Sequence, residues 1–297
     1  MHWRHKARIQ RLLAALPRSV GDAIYYQLQC RFGDLRNSSP WTRLEYGAET
    51  ARLFAKFAGP VAGRSFLEIG TGRRLNVPIV LWLLGAEQVI CTDLHGYLKA
   101  DLVRRDIEWI RKNAARVREL LPDADPNRFA ALLSNGGQPD AIRYHPQTAA
   151  NALPVPDSSI DAHISCNVLE HIPPSDIPPL LAEARRIIKP DGLLIHKTDH
   201  RDHFHRDFRS ISPINFLRFT EAEWLALAGN RFMYANRLRI DDLRDCFEAA
   251  ACPPKLLRPG IDTALLGEIQ NQPPPLSAEF ADKPAEVLAV VSSWIVA

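Results

Sequence analysis

Phe66-Leu67-Glu68-Ile69-Gly70-Thr71-Gly72 is the stretch that decides the fold. Ser65–Ile69 has the composition of a short buried strand, and it ends at Gly70. Gly70 and Gly72 allow a tight turn and a close approach of a ligand to the backbone, because no Cβ stands in the way. A helical pattern over Leu75–Leu84 follows and presents free N–H groups at the same place. The sequence therefore predicts a strand, a glycine loop and a helix that together form a ligand site.

Strands alternate with helices along the rest of the chain. Further strands are predicted at Gln88–Thr92, which ends at Asp93, at Ile160–Cys166, at Leu193–Lys197 and at Val287–Val296, and further helices at Leu98–Leu121 and Ile177–Ile188. This alternation requires crossover connections between neighbouring strands. We therefore expect an α/β fold with a doubly wound, mostly parallel sheet.

Two acidic residues accompany the glycines and indicate a nucleoside ligand. Glu68 stands just before the loop, where its carboxylate can meet a cationic group, and Asp93 closes the second strand, where a carboxylate can accept both hydroxyls of a ribose. A dinucleotide loop, G-x-G-x-x-G, requires a glycine where this chain has Leu75. Glu68, Gly70 and Gly72 instead complete the E-x-G-x-G loop of S-adenosylmethionine sites. A nicotinamide oxidoreductase stays an alternative, and comparing the binding of the two ligands distinguishes them.

Composition narrows the class of protein further. The chain has 297 residues, 46% of them hydrophobic, and a net charge of +3, which does not favour nucleic acid as a partner. The five cysteines form no C-x-x-C pair, and no apolar run reaches the ~18 residues that a membrane span needs. We expect a cytoplasmic protein.

Two longer motifs carry a resemblance to a known family. Leu153–Asp161 (LPVPDSSID) and Ser165–Ile172 (SCNVLEHI) resemble the turn and fourth strand of class I S-adenosylmethionine-dependent methyltransferases, the group that includes the ubiquinone and menaquinone biosynthesis enzymes. Ala182–Gly192 (AEARRIIKPDG) resembles the helix that follows in that family. The resemblance implies a seven-stranded Rossmann-like methyltransferase sheet.

The resemblance also implies roles for individual residues. S-adenosyl-L-methionine would be held by Glu68, Gly70, Thr71, Gly72, Asp93, Leu94, Ala149, Ala150, Asn167 and Val168. Two positions depart from the family pattern. Arg74 stands where the family often has a glycine, and Ala149 stands where it often has an acidic contact to adenine, so that adenine would be held mainly by backbone groups.

The helical pattern at the start of the chain and the family resemblance together suggest a domain organisation. Residues 1–60 have a helical pattern, broken at Pro17, Gly33 and Asn37–Pro40, and are predicted to form an N-terminal extension. Residues 61–297 would form the methyltransferase domain, with inserted segments 98–145 and 200–240 shaping the acceptor side. The basic start of the chain could lie on a membrane surface, although a docked helix is the favoured interpretation.

Acid–base candidates cluster after the fourth and fifth strands. His171, Asp199 and His200 are the predicted catalytic residues, because histidine is the commonest positioned base. No metal is expected, since the run Lys197–Phe208 (KTDHRDHFHRDF) has no second spaced ligand cluster. His163 and His196 lie inside strand patterns and are interpreted as core residues.

The predicted function is methyl transfer from S-adenosylmethionine to a small-molecule or saccharide acceptor. The histidines around the cleft favour transfer to oxygen, because a hydroxyl acceptor must lose a proton. Transfer to nitrogen or carbon and a non-catalytic, methyltransferase-like binding domain stay open. Nucleic acid is not expected as an acceptor, because the motif after the fourth strand is CNVLEH and not D/N-P-P-Y/F.

Overall fold

Seven strands form one sheet in the computed structural model, which describes residues 2–33, 35–36 and 38–297. In chain order the strands are β1 (Ser65–Ile69), β2 (Gln88–Asp93), β3 (Ile142–Pro146), β4 (Ile160–Cys166), β5 (Ile188–Asp199), β6 (Leu256–Ile261) and β7 (Val290–Val296). Their order across the sheet is β3-β2-β1-β4-β5-β7-β6. Strands β1 to β5 pair in parallel, and β7 runs antiparallel to both of its neighbours. The predicted doubly wound, mostly parallel seven-stranded α/β sheet is confirmed.

Helices cover both faces of this sheet. They are α1 (Trp3–Ala15), α2 (Arg18–Phe32), α3 (Trp41–Ala58), α4 (Asn76–Leu83), α5 (Ala100–Lys112), α6 (Ala114–Leu120), α7 (Pro126–Asn135), α8 (Ile177–Ile187), α9 (Glu221–Ala228), α10 (Ile240–Ala249), α11 (Thr263–Asn271) and α12 (Ala285–Leu288). Successive side chains of a strand point to opposite faces. Phe66 accordingly packs in one core with α3 and α4, and Leu67 packs in another with α8 and α10.

The observed elements differ from the predicted ones in several places. The helix predicted over Leu98–Leu121 is two helices, α5 and α6, which meet at Asn113, whose side-chain amide donates to the Trp109 carbonyl. The strand predicted over Val287–Val296 begins at Val290, because the preceding residues form α12. Strands β3 and β6 were not predicted.

The helical character of the N-terminal segment is confirmed in the described residues. Helix α1 ends before Pro17 and α2 ends before Gly33, while Asn37 lies outside the described residues. Helix α3 contributes Leu44 and Phe54 to the core of the sheet itself. Helix α1 places Trp3 in a third apolar cluster, together with residues of segment 200–240 such as Phe204. In the part of the chain that the structure describes, no helix has the length and apolar character needed to cross a membrane.

Candidate active site

The glycine loop turns sharply between β1 and α4. Gly70 and Gly72 have φ angles of +64° and +71°, which residues with a Cβ rarely adopt. A Cβ on Gly70 would also lie 2.6 Å from Cγ2 of Val168. The loop therefore requires glycine at Gly70 for two reasons, its backbone conformation and its contact with the residue that follows β4.

Glu68 is buried at the carboxyl end of β1, with 5% of its surface exposed. Its Oε2 atom has no hydrogen-bond partner among the described residues. Burial raises the pKa of Glu68 to about 7, although Thr71 and the charge of Arg43 act in the opposite direction. A buried carboxyl oxygen without a partner is expensive, so this position fits a cationic or hydrogen-donating ligand group.

Asp93 connects the glycine loop to the end of β2. Its Oδ2 atom accepts a hydrogen bond of 2.8 Å from the Gly72 amide, and its Oδ1 atom accepts one of 2.9 Å from the His95 amide. Each carboxylate oxygen has further lone pairs. Burial nevertheless raises the pKa of Asp93 above its ordinary value, and the two backbone amides oppose this rise. Asp93 is thus oriented by the backbone and keeps acceptor capacity for a ligand.

The residues predicted to surround adenine lie next to Asp93. The Asp93 carbonyl accepts a hydrogen bond of 3.0 Å from the Thr148 amide, and Ala149 and Ala150 follow directly in a half-buried turn. Leu94 has 60% of its surface exposed, which leaves an apolar side chain open to a flat ligand. Leu94 also lines a cavity of about 350 Å³ under α2.

Arg74, the departure from the family's glycine, is used by the fold. Its guanidinium is almost completely buried and forms an ion pair with Asp106 of α5. It also donates to Oγ of Ser38. Arg74 therefore connects the glycine loop to α5 and to the segment before α3. Its side chain is used inside the protein and does not extend into solvent.

Strand β5 brings a cation, Lys197, next to the end of β4, and the sequence alone did not single it out. Asn167 has a φ of +58°, and its Oδ1 accepts a hydrogen bond of 2.9 Å from Nζ of Lys197. Lys197 is 6% exposed, and its Nζ lies 4.5 Å from the centre of the Tyr46 ring. A buried lysine at the end of the otherwise apolar strand LLIHK was the available signal, whereas its partner Tyr46 is distant in sequence.

His171 has a defined orientation beyond β4. Its Nδ1 lies 2.7 Å from the Tyr234 carbonyl oxygen. A carbonyl only accepts, so Nδ1 must carry the proton and Nε2 holds the lone pair of the neutral ring. Burial lowers the pKa of His171, while the Tyr234 carbonyl opposes this change. When the ring is neutral, Nε2 therefore carries its lone pair, and Nε2 has no hydrogen-bond partner in the described part of the chain.

Glu170 and His203 lie beside His171. The His171 and His203 rings are 4.9 Å apart between centres, and one ligand atom of each of the three residues lies within 4.8 Å of the others. Both carboxyl oxygens of Glu170 are buried without a hydrogen-bond partner in the residues described. Burial, with the charge of Asp199, raises the pKa of Glu170 to about 8. The cluster thus joins a carboxyl that is largely protonated at pH 7 to two imidazoles.

Asp199 and His200 are occupied by contacts within the protein. Burial would raise the pKa of Asp199, but the hydrogen bonds of Arg201 and the charge of Arg206 hold it far below its ordinary value. His200 is 2% exposed, with Nδ1 3.0 Å from the Leu238 carbonyl and Nε2 2.9 Å from Oγ of Ser293. Their catalytic roles remain predictions, and the geometry leaves neither nitrogen of His200 free for an acceptor.

The other histidines divide between core and loop. His163 and His196 are fully buried, as predicted, and burial lowers the pKa of both rings. In the loop after β5, His205 contacts the Ile211 carbonyl and Arg209, and Asp202 caps a short 3-10 turn. Most polar groups of this loop are therefore used to fold it.

One comparison with known proteins gives a family match. Residues 103–196 match a family described as a methyltransferase domain. The matched segment begins after the glycine loop and Asp93, and it contains β4 and α8. No curated protein matches the chain.

Several solved structures resemble the chain at low identity. An S-adenosylmethionine-dependent methyltransferase from Mesorhizobium loti has 14% identity and a TM-score of 0.46, over 85% of this chain and 98% of that one. A putative sarcosine dimethylglycine methyltransferase from Galdieria sulphuraria has 15% identity and a TM-score of 0.46, over 90% and 86%. The geranyl diphosphate C-methyltransferase of Streptomyces coelicolor A3(2) has 13% identity and a TM-score of 0.44, over 84% and 76%. At these values the likeness says nothing about the acceptor. The family match covers less than half of the chain, and it supports a methyltransferase that uses S-adenosylmethionine as its methyl donor.

Proposed function

We propose that the chain transfers the methyl group of S-adenosylmethionine to an oxygen atom of a small-molecule acceptor, with a saccharide as one candidate class. The observation that carries the oxygen assignment is the free Nε2 of His171. A hydroxyl acceptor needs a base, and a positioned base contributes about 10²–10⁴-fold to the rate. The motifs Leu153–Asp161 and Ser165–Ile172 support a relation to the group of methyltransferases that includes the ubiquinone and menaquinone biosynthesis enzymes.

The proposed donor site uses three structural features. Glu68 would receive the cationic amino group of the methionine part, because its Oε2 is buried without a partner in the described chain. Gly70, Thr71 and Gly72 would let the ligand approach the backbone. Asp93 would accept the ribose hydroxyls, since the Gly72 and His95 amides orient both of its oxygens. When bound, the donor supplies a methyl group already activated by its sulfonium.

The adenine end would lie on the other side of Asp93. Leu94 would cover one face of the base, and backbone groups around Ala149 and Ala150 would contact its edge. An exposed leucine beside a half-buried turn supports this assignment. Asn167 and Val168 would line the transfer site, because Val168 lies against Gly70 and Asn167 is held by Lys197.

The protein's contribution to the reaction would be positioning and proton removal. Holding the acceptor oxygen in line with the methyl group can supply about 7–11 kcal/mol. His171 would accept the hydroxyl proton at Nε2, while the Tyr234 carbonyl keeps the ring in the required tautomer. An amine acceptor that is already neutral would need no such base. Transfer to oxygen therefore predicts a strong dependence on His171.

The test uses S-adenosylmethionine with a ¹³C-labelled methyl group and a fractionated small-molecule extract. The chemical shift of the labelled carbon in the product distinguishes a methyl ether from an N-methyl or C-methyl group. We expect a methyl ether. A product labelled only on nitrogen or carbon contradicts the oxygen assignment, and donor binding without a product on any fraction supports a non-catalytic domain.

His171→Gln is the matched test of the base. We expect kcat to fall about 10²–10⁴-fold with an unchanged Kd for the donor. His5→Gln, an exposed histidine of α1, serves as the control and should retain full activity. Equal turnover of both variants excludes His171 as the base.

A further inference from the structure

The outer faces of α1 and α2 expose apolar side chains to water. Leu12 and Phe32 have 72% and 80% of their surface exposed. The full set is Ile9 and Leu12 on α1, Leu16 directly after α1, and Val20, Ile24, Leu28 and Phe32 on α2. Val20, Ile24, Leu28 and Phe32 follow one another at intervals of four residues, so they form a continuous stripe along α2. We call these seven residues the hairpin stripe.

The helices that carry the hairpin stripe are already packed against the rest of the domain. Helix α1 already buries Trp3, Ala7 and Gln10 against the protein. Arg231 forms an ion pair with Asp22 of α2 and donates to the carbonyls of Leu13 and Ala14. Both helices are therefore fixed to the domain through their inner faces, and the stripe lies on the opposite, outward side.

The charge around the hairpin stripe has one sign. Residues 2–32 contain Arg4, Lys6, Arg8, Arg11, Arg18 and Arg31 but a single carboxylate, Asp22. Asp22 is paired with Arg231, and Lys6 is paired with Asp207. Arg4, Arg8 and Arg11 form no ion pair in the described chain. An apolar stripe flanked by unpaired arginines matches an anionic surface that also offers an apolar interior.

We propose that the hairpin stripe binds the surface of an anionic lipid bilayer. The seven apolar side chains enter the boundary between headgroups and acyl chains, and the arginines contact the headgroup phosphates. A second copy of this chain fits the face less well, because two such faces would bring arginines against arginines. This inference goes beyond the methyl transfer proposed above and does not depend on it.

Binding of the hairpin stripe to a bilayer would also position the cavity that lies under α2. The inner side of α2 contributes Arg18, Asp22 and Tyr26 to the cavity of about 350 Å³ that Leu94 also lines. The same helix thus separates the bilayer surface from this cavity. A bound membrane would hold the adenine side of the candidate site close to the lipid headgroups.

Flotation of the full chain with lipid vesicles tests the proposal. We expect the protein to float with phosphatidylcholine vesicles that contain one third phosphatidylglycerol, and to stay in solution with phosphatidylcholine alone. Raising NaCl to about 0.5 M should weaken the binding, because salt screens the headgroup charge. Failure of the wild-type protein to bind the anionic vesicles overturns the proposal.

Matched variants distinguish binding through the hairpin stripe from non-specific hydrophobic adsorption to the vesicles. Leu12→Ser/Ile24→Ser should lower the partition coefficient at least ~10-fold, and Arg4→Gln/Arg8→Gln should lower it roughly 10–30-fold. Phe57→Ser/Ile261→Ser, which removes exposed apolar side chains elsewhere, should bind like the wild type. Circular dichroism and melting temperature verify that the variants fold. Equal binding of the stripe and control variants overturns the proposal, as does a dimer in sedimentation that Leu12→Ser/Ile24→Ser dissociates.

Discussion

The backbone amide of Gly72 donates a hydrogen bond of 2.8 Å to Oδ2 of Asp93 and so connects the loop after β1 to the end of β2. Phe66 to Ile69 and Val89 to Thr92 already pair in register as parallel neighbours, which brings both carboxyl ends to one edge of the sheet. Glu68 and Asp93 therefore flank a single loop. Their positions at the ends of two neighbouring strands are the geometric basis of the proposed donor site.

Removal of the Asp93 carboxylate should weaken donor binding. For Asp93→Ala we expect the Kd of S-adenosylmethionine, measured by calorimetry, to rise roughly 10–100-fold, because hydrogen bonds to a charged group are lost. Asp245→Ala, at an exposed aspartate of α10, is the control and should bind like the wild type. Unchanged affinity in Asp93→Ala removes the ribose assignment.

Donor affinity should depend on pH through Glu68. The pKa of Glu68 is about 7, raised by burial, so the carboxyl is mostly protonated at pH 6 and mostly ionised at pH 7.5. A cationic amine prefers the ionised form, and affinity should therefore rise about tenfold between these two pH values. Glu68→Gln should bind weakly with no such slope. A slope that persists in Glu68→Gln assigns the titration to another group.

Folding stability should follow Glu68 in the opposite direction. The folded-state pKa lies above the ordinary value of 4.5, so the folded protein holds a proton that the unfolded chain has lost. In the absence of donor, the contribution of Glu68 to the free energy of unfolding falls as pH rises from about 4.5 to about 7. Wild type should lose more stability over this window than Glu68→Gln.

Alanine should change the free energy of unfolding in opposite directions at Gly70, in the glycine loop, and at Gly267, in α11. Gly70→Ala places a Cβ at a φ of +64° and 2.6 Å from Val168, and should lower the free energy of unfolding by about 1–3 kcal/mol. Gly267→Ala, in α11 with open space around the added carbon, should raise it by about 0.5–1 kcal/mol. Denaturant titration measures both. Gly70→Ala/Val168→Ala should recover part of the loss, and no recovery contradicts the proposed contact.

His200 offers a contrast with His171. Burial lowers the pKa of His200 to about 3, so the ring stays neutral between Leu238 and Ser293. His200→Gln should lower the free energy of unfolding by about 1–3 kcal/mol, since buried polar partners are left without it. Turnover per folded molecule should change little. A large loss of kcat at unchanged stability would support His200 as the base.

The buried central strands were predictable because their signal is local. Phe66, Leu67 and Ile69 form a continuous apolar run, which a strand covered on both faces requires. Strand β3 was not predicted, because Ile142 is its one fully buried residue, as expected at the edge of a sheet. Strand β6 contains Pro259 and Gly260, which weaken any strand pattern.

The candidate site was predictable in its glycines and carboxylates, and less so in its partners. The turn at Gly70 and Gly72 and the position of Asp93 at the end of β2 follow from the local sequence, whereas the proposed roles of these residues stay predictions. The contacts of Lys197 with Asn167 and Tyr46, and the use of both His200 nitrogens, arise from residues far apart in sequence. Such pairings depend on the packing of whole elements, which no local pattern encodes.

The position of β7 between β5 and β6 governs the order in which the sheet can be assembled. Strand β6 precedes β7 in the chain, yet β7 is the strand with which it pairs. During synthesis β6 must therefore wait until Val290–Val296 has left the ribosome, while β1, β2 and β4 can already associate. Glu68, Gly70, Gly72 and Asp93 of the candidate site lie in the first third of the chain, but the sheet that carries them becomes complete only after the last strand has been synthesised.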